Sequence, residues 1–217
     1  MTDLNVTDLN ATAKMRIATP IIESDRLILS LLKAPNREAA ISYWRRNEEH
    51  LKPYGPAWPD DFLTEEFWTK QIETNEREYY ADVSVRMYLF EKKSGDNSAE
   101  KSSDATHSSA LIVGHLSFGG ILRGAAQFCY LGYGLDQSRQ KRGYMTEILS
   151  PAIRYAFEVL GIHRIMANYM PTNEASGKVL KRLGFTVEGY ARDYLCLNGK
   201  WEDHILTSLT NPEDRIL

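Results

Sequence analysis

A single α/β domain built on one mixed sheet with helices on both faces is the fold class that this 217-residue sequence predicts. Three observations carry the prediction. Runs of branched and aromatic residues alternate with longer segments whose apolar residues recur at helical spacing. Two of the runs, Phe128 to Leu135 and Arg164 to Tyr169, bracket an amphipathic helical segment, and such a crossover makes the two strands parallel in the right-handed sense. Asn198-Gly199, between two later runs, is a tight hairpin turn and makes that pair antiparallel.

The elements follow in order. Residues 1–15 are polar, with Thr-Asp-Leu-Asn occurring twice, and predict a frayed tail ahead of a domain spanning 16–217. Arg26 to Leu31 has the apolar, branched composition of a first strand. Asn36 to Leu51 carries Ala39, Ala40, Tyr43, Trp44 and Asn47 at helical spacing and stops before Pro53. The run 51–59 holds Pro53, Pro56 and Pro59, so it is a stiff loop whose aromatic residues either pack down or face a cleft. Thr64 has the chemistry of an N-cap for a helix carrying Phe67, Trp68, Ile72 and Tyr79. Val85 to Glu91 and Leu111 to Phe118 are strands joined by a polar insertion over about 92–110, in which Ser, Asp, Lys, Asn and Gly supply no core. After the strand 128–135, Met145, Ile148, Leu149, Ala152, Ile153, Ala156 and Leu160 form one helical stripe that contains Pro151 and ends at Gly161. Asn173 to Leu183 is the last helix, closed by Gly184, and strands at 185–188, 194–197 and 203–209 complete the chain.

Composition bounds the function. A hydrophobic fraction of 43% with 25% charged residues is that of an ordinary soluble protein. A net charge of -3 argues against general nucleic-acid binding and leaves room for basic partners. Cys129 and Cys196 are lone thiols with no Cys/His pair at metal spacing, so no metal is expected and a reducing, cytoplasmic setting is. The sequence has neither a signal-peptide pattern nor an apolar run approaching the length of a membrane span.

The richest stretch is Gln140-Lys141-Arg142-Gly143-Tyr144-Met145, which leaves a strand and opens a helix. Such a loop aims several backbone N–H groups at one point, where the helix dipole adds positive character. Gly143 permits a close backbone approach, and Lys141 and Arg142 add formal charge, so the loop reads as a cradle for a diphosphate. The spacing is neither that of a P-loop nor that of a dinucleotide fingerprint.

Gln140-x-x-Gly143-x-Met145 resembles the Q/R-x-x-G-x-G/A signature with which the GCN5-related N-acetyltransferase (GNAT) superfamily holds the pyrophosphate of acetyl-CoA, with Met145 where Gly or Ala is usual. The likeness extends to Asp25-Arg26-Leu27-Ile28-Leu29, Cys129-Tyr130-Leu131-Gly132-Tyr133, His163 to Pro171, Gly189 to Tyr194 and Asn198 to His204. Within the superfamily it is similar to the RimJ/RimL type, and to the RimJ members in particular. The resemblance implies the GNAT fold, a mixed and mostly antiparallel sheet with a splayed parallel central strand pair. It also implies acetyl-CoA as donor and a protein N-terminus as acceptor, namely the alanine of a small-subunit ribosomal protein. Tyr133, Gly134 and Leu135 would hold the coenzyme through the splayed strand, and residues 140–145 through the phosphate loop. Asn173 would complete the coenzyme contacts, and Ser176 with Asn173 would serve the leaving thiolate, the alternatives being an N-cap for Asn173 and a first-turn serine bonded to backbone for Ser176. Lys178 and Lys181 either reach the coenzyme's phosphates or are solvated helix lysines.

Two positions depart from the wider superfamily. Tyr130 stands where many relatives carry a Glu base, and Leu180 where many carry a Tyr. Gly132 and Gly134 suit a bulged strand, or simply one with close neighbours. An α-amine, with an ordinary pKa of about 7.7 to 8.0 against about 10.4 for lysine, needs roughly 3 to 4 kcal/mol less help to become neutral. A water relay could serve it, which argues for amino-terminal over lysine acetylation. His115, His163 and Arg164 read as structural, and Glu48, Glu49, Asp193 and Glu202 as surface carboxylates or binders of a charged amino terminus. A small amine is an alternative acceptor, and a ribosome assembly factor with secondary or no acetylation is an alternative of another class. Monomer and homodimer are both open.

Overall fold

Successive residues of the strand Val85–Glu91 enter opposite cores, and this alternation sets the layering. Met87 and Leu89 pack into one cluster, while Tyr88 and Phe90 pack into a second on the other face. The structure, a computed structural model, describes residues 19–92 and 111–214; the tail expected over 1–15 and all but the first residue of the insertion expected over 92–110 lie outside the described residues.

The strands are β1 (Ile21–Glu23), β2 (Leu27–Leu31), β3 (Val85–Glu91), β4 (Ile112–Leu122), β5 (Phe128–Leu135), β6 (Arg164–Met166), β7 (Thr186–Leu197) and β8 (Lys200–Thr210). They form one sheet in the order β1-β2-β3-β4-β5-β6-β8-β7, antiparallel throughout except for β5 and β6. The helices are α1 (Arg37–Arg46), α2 (Glu48–Leu51), α3 (Glu65–Tyr80), α4 (Tyr144–Glu158) and α5 (Glu174–Arg182). The buried stripes of α1 and α3, with Tyr43, Trp68 and Ile72, cover one face of the sheet. The stripe of α4, from Met145 through Ala156, together with Leu180 of α5 covers the other.

Several local expectations hold. Thr64 caps α3 through its Oγ1, which accepts from the N–H of Phe67 at 3.2 Å. Asn198 and Gly199 are both left-handed, with φ of 50° and 81°, as a tight hairpin of this type requires. The loop 51–59 does both things considered for it: Trp58 packs on Trp44 and Phe62, whereas Tyr54 borders a cleft.

Other expectations need correction. A short strand, β1, precedes the expected first one, which itself begins at Leu27 rather than Arg26. The single helix expected to Leu51 is broken at Asn47, because the buried Asn47 amide turns to bond with residues at the end of β5. β6 ends at Met166 rather than Tyr169. The runs 185–188 and 194–197 belong to one irregular strand, β7, and β8 begins at Lys200.

Gly132 and Gly134 do not mark a bulge. The β4–β5 register is continuous from Gly114↔Leu135 to Gly119↔Tyr130, and the irregularity falls beyond it, between Gly119 and Leu122. Gly134 is required by a close neighbour instead, since a Cβ there would lie 2.3 Å from Cε1 of His115. That ring is hydrogen-bonded to the Tyr43 hydroxyl at 2.9 Å and packed on Trp44, and burial lowers its pKa to about 4, so it stays neutral as the structural histidine expected. Gly134→Ala is therefore expected to cost about 1–3 kcal/mol of stability through overpacking. Urea unfolding checks this, and an unchanged midpoint would mean that the ring can swing aside.

Candidate active site

The site begins where β5 and β6 part. They pair only from Phe128↔Arg164 to Tyr130↔Met166, and from Leu131 onward β5 turns an unpaired edge toward a cleft of about 130 Å³. β5 stays bonded to β4 along its length, and β8 is pinned to the chain beyond β6 by paired bonds between Tyr169 and Ile205, so neither side collapses. The cleft is lined by Leu131, Gly132 and Tyr133 from β5, by residues 167–170, by Asn173, Ser176 and Leu180 around α5, and by Tyr54 and His204.

Asn173 and Ser176 are joined by a helix cap. The Asn173 Oδ1 caps α5 by accepting the Ser176 N–H at 3.2 Å, which fixes the first turn with its serine in the cleft. The Ser176 Oγ lies 2.8 Å from the Tyr133 hydroxyl, which also reaches the Ser176 carbonyl at 3.3 Å. Burial pushes the Tyr133 hydroxyl up to about 12, so it keeps its proton at neutral pH. Tyr133 was expected to act through its backbone, and the partnership of its side chain with Ser176 could not be read from two residues so far apart. Gly177 lets α5 approach closely, because a Cβ there would sit 2.8 Å from the Tyr169 ring. Lys178 is exposed and bonded to Glu174 at 2.9 Å on the outer side of α5.

The loop 140–145 is held from both ends. On one side the buried Asp136 accepts four hydrogen bonds, from Arg46 Nε (2.6 Å), Asn47 Nδ2 (3.1 Å), Ser138 N (3.0 Å) and Ser138 Oγ (2.7 Å). Burial alone would raise its pKa, but the bonds from Ser138, Asn47 and Arg46 outweigh it and bring the carboxyl down to about 2. On the other side Glu147 accepts from Ser24 Oγ, the Arg26 N–H and the Arg26 guanidinium, which also donates to the Arg142 carbonyl at 3.0 Å.

Between these anchors Lys141 and Gly143 take left-handed φ values of 60° and 79°, a backbone that turns successive N–H groups toward one side. The first-turn N–H groups of α4 have no acceptor in their own helix. Lys141 and Arg142 are exposed. Gln140 is bonded to His50 at 2.9 Å, and the Tyr144 hydroxyl donates to Glu91 at 2.6 Å. Met145 is buried in the core, so its size leaves the outer face of the loop open. Leu135, half-buried at the end of β5, packs against the same core. This arrangement can hold a diphosphate at the loop and an extended, mostly uncharged arm along the fork.

Residues 26–186 match the family described as the acetyltransferase (GNAT) domain. The chain is 35% identical over 200 residues to a [ribosomal protein uS5]-alanine N-acetyltransferase of Escherichia coli (strain K12), covering 92% of this chain and 93% of that protein. It is 31% identical over 183 residues to the probable N-acetyltransferase YjcK of Bacillus subtilis (strain 168), covering 84% and 93%. Among solved structures, a ribosomal-protein-S5-alanine acetyltransferase from Vibrio fischeri superimposes with a TM-score of 0.78 at 31% identity, over 89% of this chain and 98% of that one.

Proposed function

The chain belongs to the acetyltransferase (GNAT) family, and from that premise we propose that it moves the acetyl group of acetyl-CoA to the α-amine of a protein amino terminus, an alanine of a small-subunit ribosomal protein, in the cytoplasm. The observation that carries the reading is the fork between β5 and β6 with the Tyr133–Ser176 hydroxyl pair at its side. The choice of acceptor draws support from the two ribosomal-protein-alanine acetyltransferases, each above 30% identity and spanning nearly the whole chain. A cleft with no carboxylate, lysine or arginine in its walls also suits an amine that is already partly neutral near pH 7 to 8.

Acetyl-CoA, when bound, supplies an activated thioester carbonyl and a thiolate leaving group. The loop 140–145 would hold its diphosphate through backbone N–H groups and the charges of Lys141 and Arg142, in the field of α4. The free edge of β5 at Leu131–Leu135 offers backbone donors to the arm and to the carbonyl oxygen as it gains charge. Ser176, on the first turn of α5, donates a proton toward the departing sulfur, and the protonated Tyr133 hydroxyl replaces it by donating to Ser176 Oγ. Asn173 positions that serine, while the Lys178 ammonium, bonded to Glu174, would have to leave its partner to reach a phosphate.

The test is turnover read as free thiol released. A peptide with a free N-terminal alanine is expected to be acetylated, whereas the same peptide with that amine blocked and an internal lysine, and a panel of small amines, are not. Turnover confined to a small amine would overturn the reading.

A further inference from the structure

On the reading above, the acceptor amine sheds a proton in the cleft, and the twelve lining residues include no carboxylate, thiol or lysine. They include one imidazole, the side chain whose ordinary pKa lies nearest neutrality. His204 sits on β8 opposite Ala191, is only 4% exposed, and lines the cleft. Its Nδ1 is 3.0 Å from the Glu202 carbonyl oxygen. A carbonyl can only accept, so Nδ1 carries the hydrogen and the neutral ring keeps its lone pair on Nε2.

No residue among those described bonds to Nε2. The one buried side-chain polar atom without a partner among them is Trp68 Nε1, so Nε2 is not sealed in the interior, and His204 is one of the residues that line the cleft. The groups around it are otherwise engaged. From β7 the Tyr194 ring packs 5.4 Å from the imidazole, and its hydroxyl accepts from Asn168 Nδ2 at 3.0 Å. Glu202 is paired with Lys200 at 2.7 Å, and Asp203 is held by the Tyr190 hydroxyl and the Asp193 N–H. Tyr54 and Tyr169 complete the polar surroundings from the facing segments.

We propose that His204 is the catalytic base, accepting the proton of the substrate α-amine at Nε2, directly or through one water. As the C–N bond forms, one N–H proton passes to Nε2. The C–S bond breaks with its electron pair on sulfur, and Ser176 supplies the sulfur's proton. Return of the imidazolium proton through solvent to the Tyr133–Ser176 pair restores both groups. This role stands in for the carboxylate that Tyr130 replaces on β5, and it rests on the amino-terminal acceptor proposed above.

The informative variant is His204→Asn, whose amide nitrogen takes the place of Nδ1 and can still donate to the Glu202 carbonyl. It is expected to keep the wild-type thermal shift with acetyl-CoA while kcat for the free-alanine peptide at pH 7 falls about 30- to 100-fold. The variant's residual rate is expected to climb with pH as the amine deprotonates by itself, so that its deficit against wild type narrows at alkaline pH. A variant within twofold of wild type with the same pH profile would overturn the assignment. Should His204→Asn not fold, imidazole nitrogen shifts of the wild-type enzyme with acetyl-CoA decide instead. A neutral ring protonated at Nδ1, titrating at the pH where kcat falls, supports the role, and a ring protonated at Nε2 or a mismatched titration removes it. Acetyl-CoA binding without wild-type turnover on any amino-terminal peptide would overturn the acceptor reading, and this role with it.

Discussion

Ser176→Ala will lower acetyl transfer by about 100- to 1000-fold while leaving the thermal stabilisation by acetyl-CoA unchanged. The serine hydroxyl is fixed by two contacts that do not depend on a ligand. The Asn173 cap sets the turn, and the Tyr133 hydroxyl lies 2.8 Å from Oγ. In the role proposed above the hydroxyl is a proton donor that matters only as the C–S bond breaks, so its removal is expected to spare binding and not turnover. Tyr133→Phe keeps the ring in the β5 wall but removes the donor behind Ser176, and a fall of about tenfold is expected. The two changes act on one relay, so the double variant should be no slower than Ser176→Ala alone. Steady-state kinetics with a thermal-shift control checks all three. A Ser176→Ala enzyme of normal turnover would remove the serine from the mechanism.

Asp136→Ala is expected to cost about 3 kcal/mol of stability at pH 7 and to weaken acetyl-CoA binding about tenfold. The carboxylate follows β5 and accepts from Arg46, Asn47 and Ser138, so its loss removes the charged acceptor that these three share and frees the approach to the loop 140–145. Its folded pKa of about 2 lies below the ordinary 3.8. The stability it contributes is therefore fully present above pH 4 and is lost as the pH falls toward 2. Urea unfolding at pH 7, 4 and 2.5 should show the gap between wild type and variant closing at the acid end. A gap independent of pH would mean that the charge is not what the clamp uses.

Much of this molecule is legible locally. The bounds of β3 and β5, the Thr64 cap, the Asn198-Gly199 turn and the buried stripe of α4 follow from periodicity, capping and turn chemistry, each contained in a short window of residues. The loop 140–145 was readable for the same reason, as a glycine and two cations between a strand and a helix. The coenzyme and the acetyl-transfer chemistry came from the resemblance of several such stretches together.

The clamp on that loop was not readable, since Arg46 and Asp136 are 90 positions apart and neither lies in a pattern that announces the other. Asn47 looked like one more inward helical residue, yet its bonds to Asp136 and Gln137 break the helix. Gly134 suggested either a bulge or a close neighbour, and only the fold shows that the neighbour is the His115 ring. His204 stood at the end of a matched motif without a role until β8, pinned at Ile205 to Tyr169, carried it to the cleft. The sequence by itself determined most of the elements, the Thr64 cap, the Asn198-Gly199 turn and the place of the loop 140–145 between a strand and a helix, because those depend on backbone preferences between near neighbours. Tertiary structure alone decided which side chains share the cleft, because that depends on where the sheet order and the parting of β5 from β6 bring distant residues together.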